Sequence, residues 1–330
     1  MSNKNKIRDF LDEIKKESFI PEFCHNGKEA PNKVYYSGPM MDNEELVEAI
    51  DTLLFGKWLA SGEKVFRFEK EFSSYVNQKY SVMVNSGSSA NLVMIEALKK
   101  YFDWQLEDEI LLSVVGFPTT LNPIIQTGLK PVFVDIEFDT LNFDLNQLEK
   151  KITSKTKGIF ISPVLGNPPD MDKLIDIATK NNLHLILDGC DSLGSKWKGK
   201  ELAEYAIASS CSFYPAHHIT TGEGGMVSSN IKEIVDLARS FAWWGRDCYC
   251  VGPANLLACG SCGNRFSNWI PELEYQIDHK YLFTNIGYNL KPLDLQGAIG
   301  SVQLKKWIFF IKKEKRIKIK YKIFYQIYQD

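Results

Sequence analysis

The chain has 330 residues, of which 44% are hydrophobic and 24% are charged, and its formal net charge at pH 7 is −2. This composition is ordinary for a soluble globular protein, and the near-neutral charge gives no electrostatic reason to expect a nucleic-acid partner. No apolar run reaches the ~18 residues that span a bilayer, and the charged amino-terminal segment does not resemble a signal peptide. We therefore predict a cytoplasmic protein, whose seven cysteines are metal ligands or buried thiols rather than disulfides.

The predicted elements alternate between strand and helix from Tyr80 onward. Amphipathic stretches separate most of the apolar runs of strand length. This alternation predicts an α/β fold with a mostly parallel sheet that is flanked by helices on both faces. Ligands of such sheets bind beyond the carboxyl ends of the strands. The predicted strands are 80–85, 109–115, 130–136, 158–165 and 183–189.

Three motifs that follow predicted strands are candidates for cofactor binding. NSGSSANL (85–92) opens a helix whose first N–H groups suit a phosphate, although a plain helix N-cap is the alternative. Phe117 follows the second strand and either stacks on a ligand or packs against the protein. Asp188 ends the fifth strand, where a buried carboxylate needs a cationic partner such as a protonated pyridine. The alternative for Asp188 is an N-cap of the segment that follows.

In this order the motifs resemble the DegT/DnrJ/EryC1/StrS family of sugar aminotransferases, fold-type I enzymes that use pyridoxal phosphate (PLP). The resemblance extends from about Gly38 to Leu304. It implies a homodimer with shared active sites, in which Asn289 reaches the cofactor of the neighbouring subunit. It also implies a set of residues around the cofactor of their own subunit: Gly87, Ser88, Ser89 and Ser212 for the phosphate, Phe117 for the ring face, Asp188 for the ring nitrogen, and Asp191 near the cofactor hydroxyl.

The stretch SFYPAHH, which begins at Ser212, departs from the aminotransferase pattern SFYPxK by placing His217 where the lysine is expected. An imidazole cannot form the Schiff base by which that lysine holds PLP, but it can move a proton at neutral pH. Within the family this change marks the sugar 3-dehydratases, which use noncovalently bound pyridoxamine phosphate (PMP). The resemblance therefore implies that His217 is the catalytic base, which removes a C4′ proton so that the sugar loses its 3-hydroxyl.

The cysteines separate two branches of these dehydratases. One branch, the CDP-4-dehydro-6-deoxyglucose 3-dehydratases, carries a [2Fe–2S] cluster. It has a cysteine beside the ring-binding aspartate, a CxC after WGRD, and a fourth cysteine before a basic–Phe pair. Cysteine spacing alone favours structural zinc, whereas a cysteine beside the cofactor favours a redox centre. The matching residues are Cys190, Cys248, Cys250 and Cys262, with Cys259 as a rival for the fourth position.

These matches predict a PMP-dependent, [2Fe–2S]-containing C3 dehydratase that acts on the nucleotide sugar CDP-4-dehydro-6-deoxyglucose. Its place would be the synthesis of 3,6-dideoxyhexoses for the lipopolysaccharide O-antigen. The electrons would come from a flavin and iron–sulfur reductase that uses NAD(P)H. The two alternatives are a cluster-free PMP-dependent 3-dehydratase and an inactive fragment that binds cofactor or partner without turnover.

The domain organisation is predicted in three parts. Residues 1–45 are expected to form a helical arm and a loop, and residues 46–290 a large cofactor-binding domain that includes a cysteine-rich loop at 244–285. Residues 291–330 are expected to begin a small domain that is truncated. The basic tail at 305–330 does not resemble the family. A solvated helix and a helix on a membrane surface are the other interpretations of that tail.

Overall fold

The computed structural model describes residues 2–15, 40–248, 265–267 and 270–327. Helices and strands alternate through most of these ranges, as the sequence predicts. The helices are α1 (Asn3–Lys15), α2 (Asn43–Phe55), α3 (Glu63–Tyr75), α4 (Gly87–Tyr101), α5 (Pro118–Gln126), α6 (Leu145–Lys150), α7 (Met171–Lys180), α8 (Lys232–Ala242) and α9 (Asp294–Ile327). The strands are β1 (Tyr80–Val84), β2 (Glu109–Ser113), β3 (Lys130–Val134), β4 (Thr156–Ile161), β5 (His184–Asp188), β6 (Lys196–Trp197), β7 (Lys200–Glu201), β8 (Ala208–Ser212) and β9 (Gly225–Ser229).

One seven-stranded sheet organises the fold, with strand order β1–β9–β8–β5–β4–β2–β3. Its neighbouring strands are parallel except that β9 runs antiparallel to both β1 and β8. The predicted mostly parallel sheet flanked by helices is therefore confirmed. The predicted strands correspond to β1 through β5, and all five end earlier than predicted, because the chain turns there into the loops of the carboxyl edge.

Both faces of the sheet are buried, because successive side chains of a strand point into different helix layers. In β1, Val82 and Val84 join one apolar cluster with residues of α4, α5 and α8, whereas Met83 joins a second cluster with residues of α3, α7 and α9. Each fully buried large apolar side chain stabilises the fold by roughly 1.5–3 kcal/mol. The burial of both faces therefore stabilises the sheet, whose carboxyl edge carries the candidate site.

The start of α9 is fixed against the start of α3. Asp294 Oδ1 accepts hydrogen bonds from the backbone N–H groups of Gly62, Lys64 and Val65 at 3.0, 2.9 and 2.9 Å. Gly297 allows the close approach of the two helices, since a Cβ there would lie 2.5 Å from the Val65 backbone. Within the described ranges no helix, α9 included, is long and apolar enough to cross a membrane.

A buried ion pair joins α3 to α8 beside β1. Arg239 donates to Glu69 through both terminal nitrogens, with distances of 3.0 and 2.9 Å. Glu69 also accepts the Met83 backbone N–H at 2.8 Å, and the side chains of the pair are only 6% and 4% exposed. Because Met83 lies in β1, this pair anchors the strand that leads into the NSGSS turn.

Candidate active site

A cleft of about 520 Å³ lies at the carboxyl edge of the sheet. Its wall is formed by segments that follow β1, β2, β4, β5 and β8, the position expected for a ligand site in an open α/β sheet. Most of the predicted site residues lie in this wall. The lining residues are Ser86, Gly87, Ser88, Phe117, Thr119, Ser162, Asp188, Cys190, Asp191, Ser212, Tyr214, Ala216, His217 and Glu223.

The turn after β1 brings three segments of the wall together. A Cβ on Gly87 would lie 2.4 Å from Ser212 Cβ and 3.1 Å from Cys190 Sγ, so only glycine fits there. Ser86 serves as the N-cap of α4, because its Oγ accepts the Ser89 backbone N–H at 3.1 Å. Ser89 Oγ lies 2.9 Å from the same oxygen, and Ser89 does not line the cleft. The turn therefore caps a helix and also presents Gly87 and Ser88 to the cleft.

Asp188 lies at the carboxyl end of β5 and is 4% exposed. Its Oδ2 accepts hydrogen bonds from Asn91 Nδ2 at 2.8 Å and from Thr120 Oγ1 at 2.7 Å, and its Oδ1 accepts the Cys190 N–H at 3.2 Å. No cationic side chain of the described residues pairs with this carboxylate. A buried carboxylate held by neutral donors is suited to a cationic group of a ligand.

His217 forms an acid–base pair with Asp191 in the cleft wall. The Nδ1 atom of His217 lies 3.2 Å from Asp191 Oδ1, and the two side chains are 21% and 59% exposed. The hydrogen bond from His217 lowers the pKa of Asp191 below its usual value. With Nδ1 engaged, Nε2 is the imidazole nitrogen that remains for exchanging a proton with a ligand.

Phe117 and Asn289 occupy contrasting positions. Phe117 is 66% exposed and lines the cleft, which favours stacking on a ligand over packing in the core. Asn289 is exposed and does not line the cleft; its Oδ1 accepts a hydrogen bond from Lys291 Nζ at 2.6 Å. The predicted contact of Asn289 with the cofactor of a second subunit stays a prediction.

Of the two predicted metal ligands that the structure describes, Cys190 lies in the cleft wall and Cys248 does not. Burial and the nearby Asp188 raise the pKa of the Cys190 thiol. Cys248 is buried, and no group of three or more possible metal ligands is found within the described part of the chain. The predicted ligands Cys250 and Cys262, and the rival Cys259, lie outside the described residues.

The structure adds residues that the sequence analysis did not single out. Asn91 and Thr120 hold Asp188, and Thr119 and Tyr214 line the cleft. Asn91 lies within NSGSSANL (85–92), and Thr120 lies within GFPTTLNP (116–123), the segment that contains Phe117. Polar residues just after a predicted strand were the available signal. The pairing of Asp191 with His217 had no signal in the sequence, because it depends on how two separate loops meet.

Comparisons with known proteins identify the family to which the chain is similar. The model of the DegT/DnrJ/EryC1/StrS aminotransferase family matches residues 40–324. The lipopolysaccharide biosynthesis protein RfbH of Salmonella typhimurium is 40% identical over 84% of this chain and 64% of its own length. The dTDP-4-dehydro-2,6-dideoxy-D-glucose 3-dehydratase of Saccharopolyspora spinosa is 39% identical over 82% of this chain and 58% of its own length. The chain thus spans less than two thirds of the length of these two relatives.

Solved structures of similar proteins share the fold. A mutant GDP-4-keto-6-deoxymannose-3-dehydratase with bound GDP-perosamine has a TM-score of 0.74 and 30% identity, and the match covers 86% of this chain and 71% of that one. The Escherichia coli GDP-4-keto-6-deoxy-D-mannose-3-dehydratase with bound hydrated PLP has a TM-score of 0.74 and 31% identity, covering 86% and 70%.

Proposed function

Because the chain belongs to the DegT/DnrJ/EryC1/StrS aminotransferase family, we propose that it is a PMP-dependent C3 dehydratase of a nucleotide-linked 4-keto-6-deoxysugar. The main support for this proposal is the pair His217–Asp191 in the cleft wall. His217 stands at the position where the aminotransferase pattern has its lysine. No lysine is among the described residues that line the cleft. Several similar proteins are named sugar 3-dehydratases, which supports the same reaction class.

The residues of the cleft fit PMP. Gly87 and Ser88 at the start of α4, together with Ser212, would hold the phosphate, because N–H groups at a helix start favour an anion. The exposed ring of Phe117 would cover one face of the pyridine, and the buried carboxylate of Asp188 would keep its nitrogen protonated. When bound, PMP supplies the amine that condenses with the 4-keto group and a conjugated ring that takes up electrons.

His217 would carry out the proton transfer. Asp191 holds the Nδ1 atom, which fixes the orientation of the ring and favours the tautomer with hydrogen on Nδ1. The lone pair of Nε2 is then available to accept the C4′ proton, and the resulting imidazolium is stabilised by the carboxylate beside it. Asp188 does not share this role, because its oxygens are occupied by Asn91, Thr120 and the backbone.

A test of the base role compares His217→Asn with His218→Asn, a matched control. His218 lies next in the chain but packs against Trp307, with ring centroids 5.1 Å apart. Loss of a positioned general base slows a reaction by roughly 10²- to 10⁴-fold. We expect His217→Asn to slow C4′ hydrogen exchange with deuterated solvent by that factor while retaining PMP. An equal effect of both substitutions, or exchange at the wild-type rate in His217→Asn, would contradict the assignment.

We further propose that the protein holds an iron–sulfur cluster and receives electrons from a separate reductase. Cys190, Cys248, Cys250 and Cys262 would hold a [2Fe–2S] cluster, with Cys259 as the rival fourth ligand. The place of Cys190 in the cleft wall supports this assignment, because a redox centre there lies next to the cofactor site. A flavin and iron–sulfur reductase that uses NAD(P)H would deliver the electrons.

The substrate would be CDP-4-dehydro-6-deoxyglucose, and the product would lead to 3,6-dideoxyhexoses of the O-antigen. The protein would work in the cytoplasm as a homodimer. The exposed position of Asn289, away from the cleft of its own subunit, is consistent with contact to the cofactor of a neighbour. We also propose that the domain boundaries lie at residues 45 and 290.

The cluster is tested by iron and acid-labile sulfide analysis of protein purified without oxygen, with EPR spectra before and after reduction by dithionite. We expect Cys190→Ser to abolish the [2Fe–2S] signal and Cys211→Ser to preserve it, because Cys211 is buried in β8 and is not a proposed ligand. Protein that retains PMP and eliminates the 3-hydroxyl without iron would instead establish the cluster-free dehydratase.

A further inference from the structure

Two cationic side chains share one exposed tryptophan outside the cleft. Lys291 Nζ lies 3.2 Å from the centroid of the Trp244 ring, and Arg246 Cζ lies 5.2 Å from it. Trp244 is 41% exposed, and none of the three residues lines the cleft. We call Trp244, Arg246 and Lys291 the Trp244 cluster.

The backbone beneath this cluster is strained and is held by hydrogen bonds. Trp244 has a φ of 62°, a left-handed conformation that is rare for a bulky residue, and Gly245 follows with a φ of 79°. A Cβ on Gly245 would lie 1.7 Å from the carbonyl oxygen of Asn285, so the turn requires glycine. The Trp244 N–H donates to the Tyr288 carbonyl at 2.7 Å, which joins the turn to the segment that carries Lys291. Strain of this kind persists where the surrounding structure holds a functional geometry.

The two cations of the cluster have no carboxylate partner in the part of the chain that the structure describes. Within the described residues neither Arg246 nor Lys291 pairs with a carboxylate, and the buried Nε atom of Arg246 has no hydrogen-bond partner. The charged group that acts on Lys291 is Arg246, and burial together with this like charge lowers the pKa of Lys291 to about 8. Two adjacent cations without a counter-charge destabilise each other unless an anion binds between them.

We infer that the Trp244 cluster binds the diphosphate of the nucleotide-linked substrate. An arginine fork and a lysine ammonium together suit two linked phosphates. The phosphate of PMP has its own proposed turn at Ser88 and Ser212, so it does not require the cluster. The hydrogen bond between Lys291 and Asn289 places the cluster beside the residue proposed to reach the neighbouring subunit's cofactor. This inference rests on the proposed function, because it names the ligand group of that substrate.

The test measures binding rather than turnover. Isothermal titration of the PMP-loaded protein with CDP, dTDP and GDP gives nucleotide affinities, and equilibrium dialysis of the protein with PMP gives cofactor affinity. We expect Arg246→Gln and Lys291→Gln each to weaken the best nucleoside diphosphate by roughly 10- to 100-fold, the loss expected for a hydrogen bond to a charged group. Lys198→Gln is the control, since Lys198 is exposed and paired with Asp172 at 2.7 Å.

A second readout is the pH dependence between 7 and 9. A bound anion raises the pKa of Lys291, so binding is fully favourable below the free-state value of about 8 and weakens as the pH rises above it. We expect Lys291→Arg to keep the affinity but lose this weakening, because arginine stays protonated. Thermal unfolding of each variant shows whether it is folded.

The affinities for nucleotide and for PMP test the diphosphate site independently of the proposed function. Weaker nucleotide binding with unchanged PMP affinity supports the diphosphate site. Weaker PMP binding with unchanged nucleotide affinity overturns it and assigns the cluster to a cofactor phosphate. Unchanged affinity for both ligands, or no nucleotide binding by the wild-type protein, also overturns it. PMP retention and loss of the 3-hydroxyl are measured separately, so the proposed function can stand while the inference fails.

Discussion

Replacement of Glu69 by alanine is expected to destabilise the protein strongly. The substitution leaves the Arg239 guanidinium, 6% exposed, without its carboxylate, and it removes the acceptor of the Met83 N–H. Removal of one partner of a buried ion pair costs roughly 3–5 kcal/mol, because the remaining charge is uncompensated. Since domains are stable by only about 5–15 kcal/mol, this is a large fraction of the free energy of unfolding.

Urea unfolding, followed by tryptophan fluorescence and circular dichroism, measures the effect. Glu149→Ala is the matched control: Glu149 pairs with Lys180 at 2.6 Å, but both side chains are exposed, so we expect no measurable change. The double replacement Glu69→Met with Arg239→Met is expected to be much less damaging than Glu69→Ala alone, because it buries no charge. If Glu69→Ala unfolds at the same urea concentration as the wild type, the assigned burial of the pair is wrong.

Two further predictions concern the cleft. Gly87→Ala places a Cβ 2.4 Å from Ser212 Cβ and is expected to weaken PMP binding in equilibrium dialysis, whereas Gly116→Ala, whose Cβ would have no atom within 4 Å apart from its chain neighbours, should leave it unchanged. Equal affinities in both variants would argue against a phosphate site at this turn. Asp191→Asn is expected to reduce the fraction of His217 that carries hydrogen on Nδ1, as measured by ¹⁵N NMR. Because Asp191 is 59% exposed, the hydrogen bond contributes about 1 kcal/mol, or roughly a fivefold change in the tautomer ratio; an unchanged ratio would exclude this positioning role.

The strands that periodicity predicts are those with large apolar side chains. β8 (ASSCS) and β9 (GMVSS) are strands of small and hydroxyl-bearing residues, so apolar runs did not reveal them. They form because they lie between other strands, where serine hydroxyls find partners: Ser81 with Ser228 at 2.7 Å, and Ser210 with Asn91 at 2.5 Å. The resemblance to the family drew attention to Ser212 as a phosphate ligand, and the structure places this residue at the end of β8.

The site was predictable where a single segment defines it. Gly87, Ser88, Phe117 and Asp188 each follow a strand, and the order of strands in the chain brings such ends to one edge of the sheet. Contacts between loops were not predictable. Asp191 was assigned to the region of the cofactor hydroxyl, and the structure shows that it pairs with His217; its predicted contact with the cofactor stays a prediction.

The cap that Asp294 provides to α3 has a consequence for the order of folding. The first turn of α3 receives its acceptor from a residue more than two hundred positions later in the chain, so these N–H groups lack that partner until residue 294 has been synthesised and has emerged from the ribosome. Closing so long a loop is entropically costly, and contacts of this range slow folding. The α3 face should therefore stay accessible to chaperones until α9 has left the exit tunnel and docked.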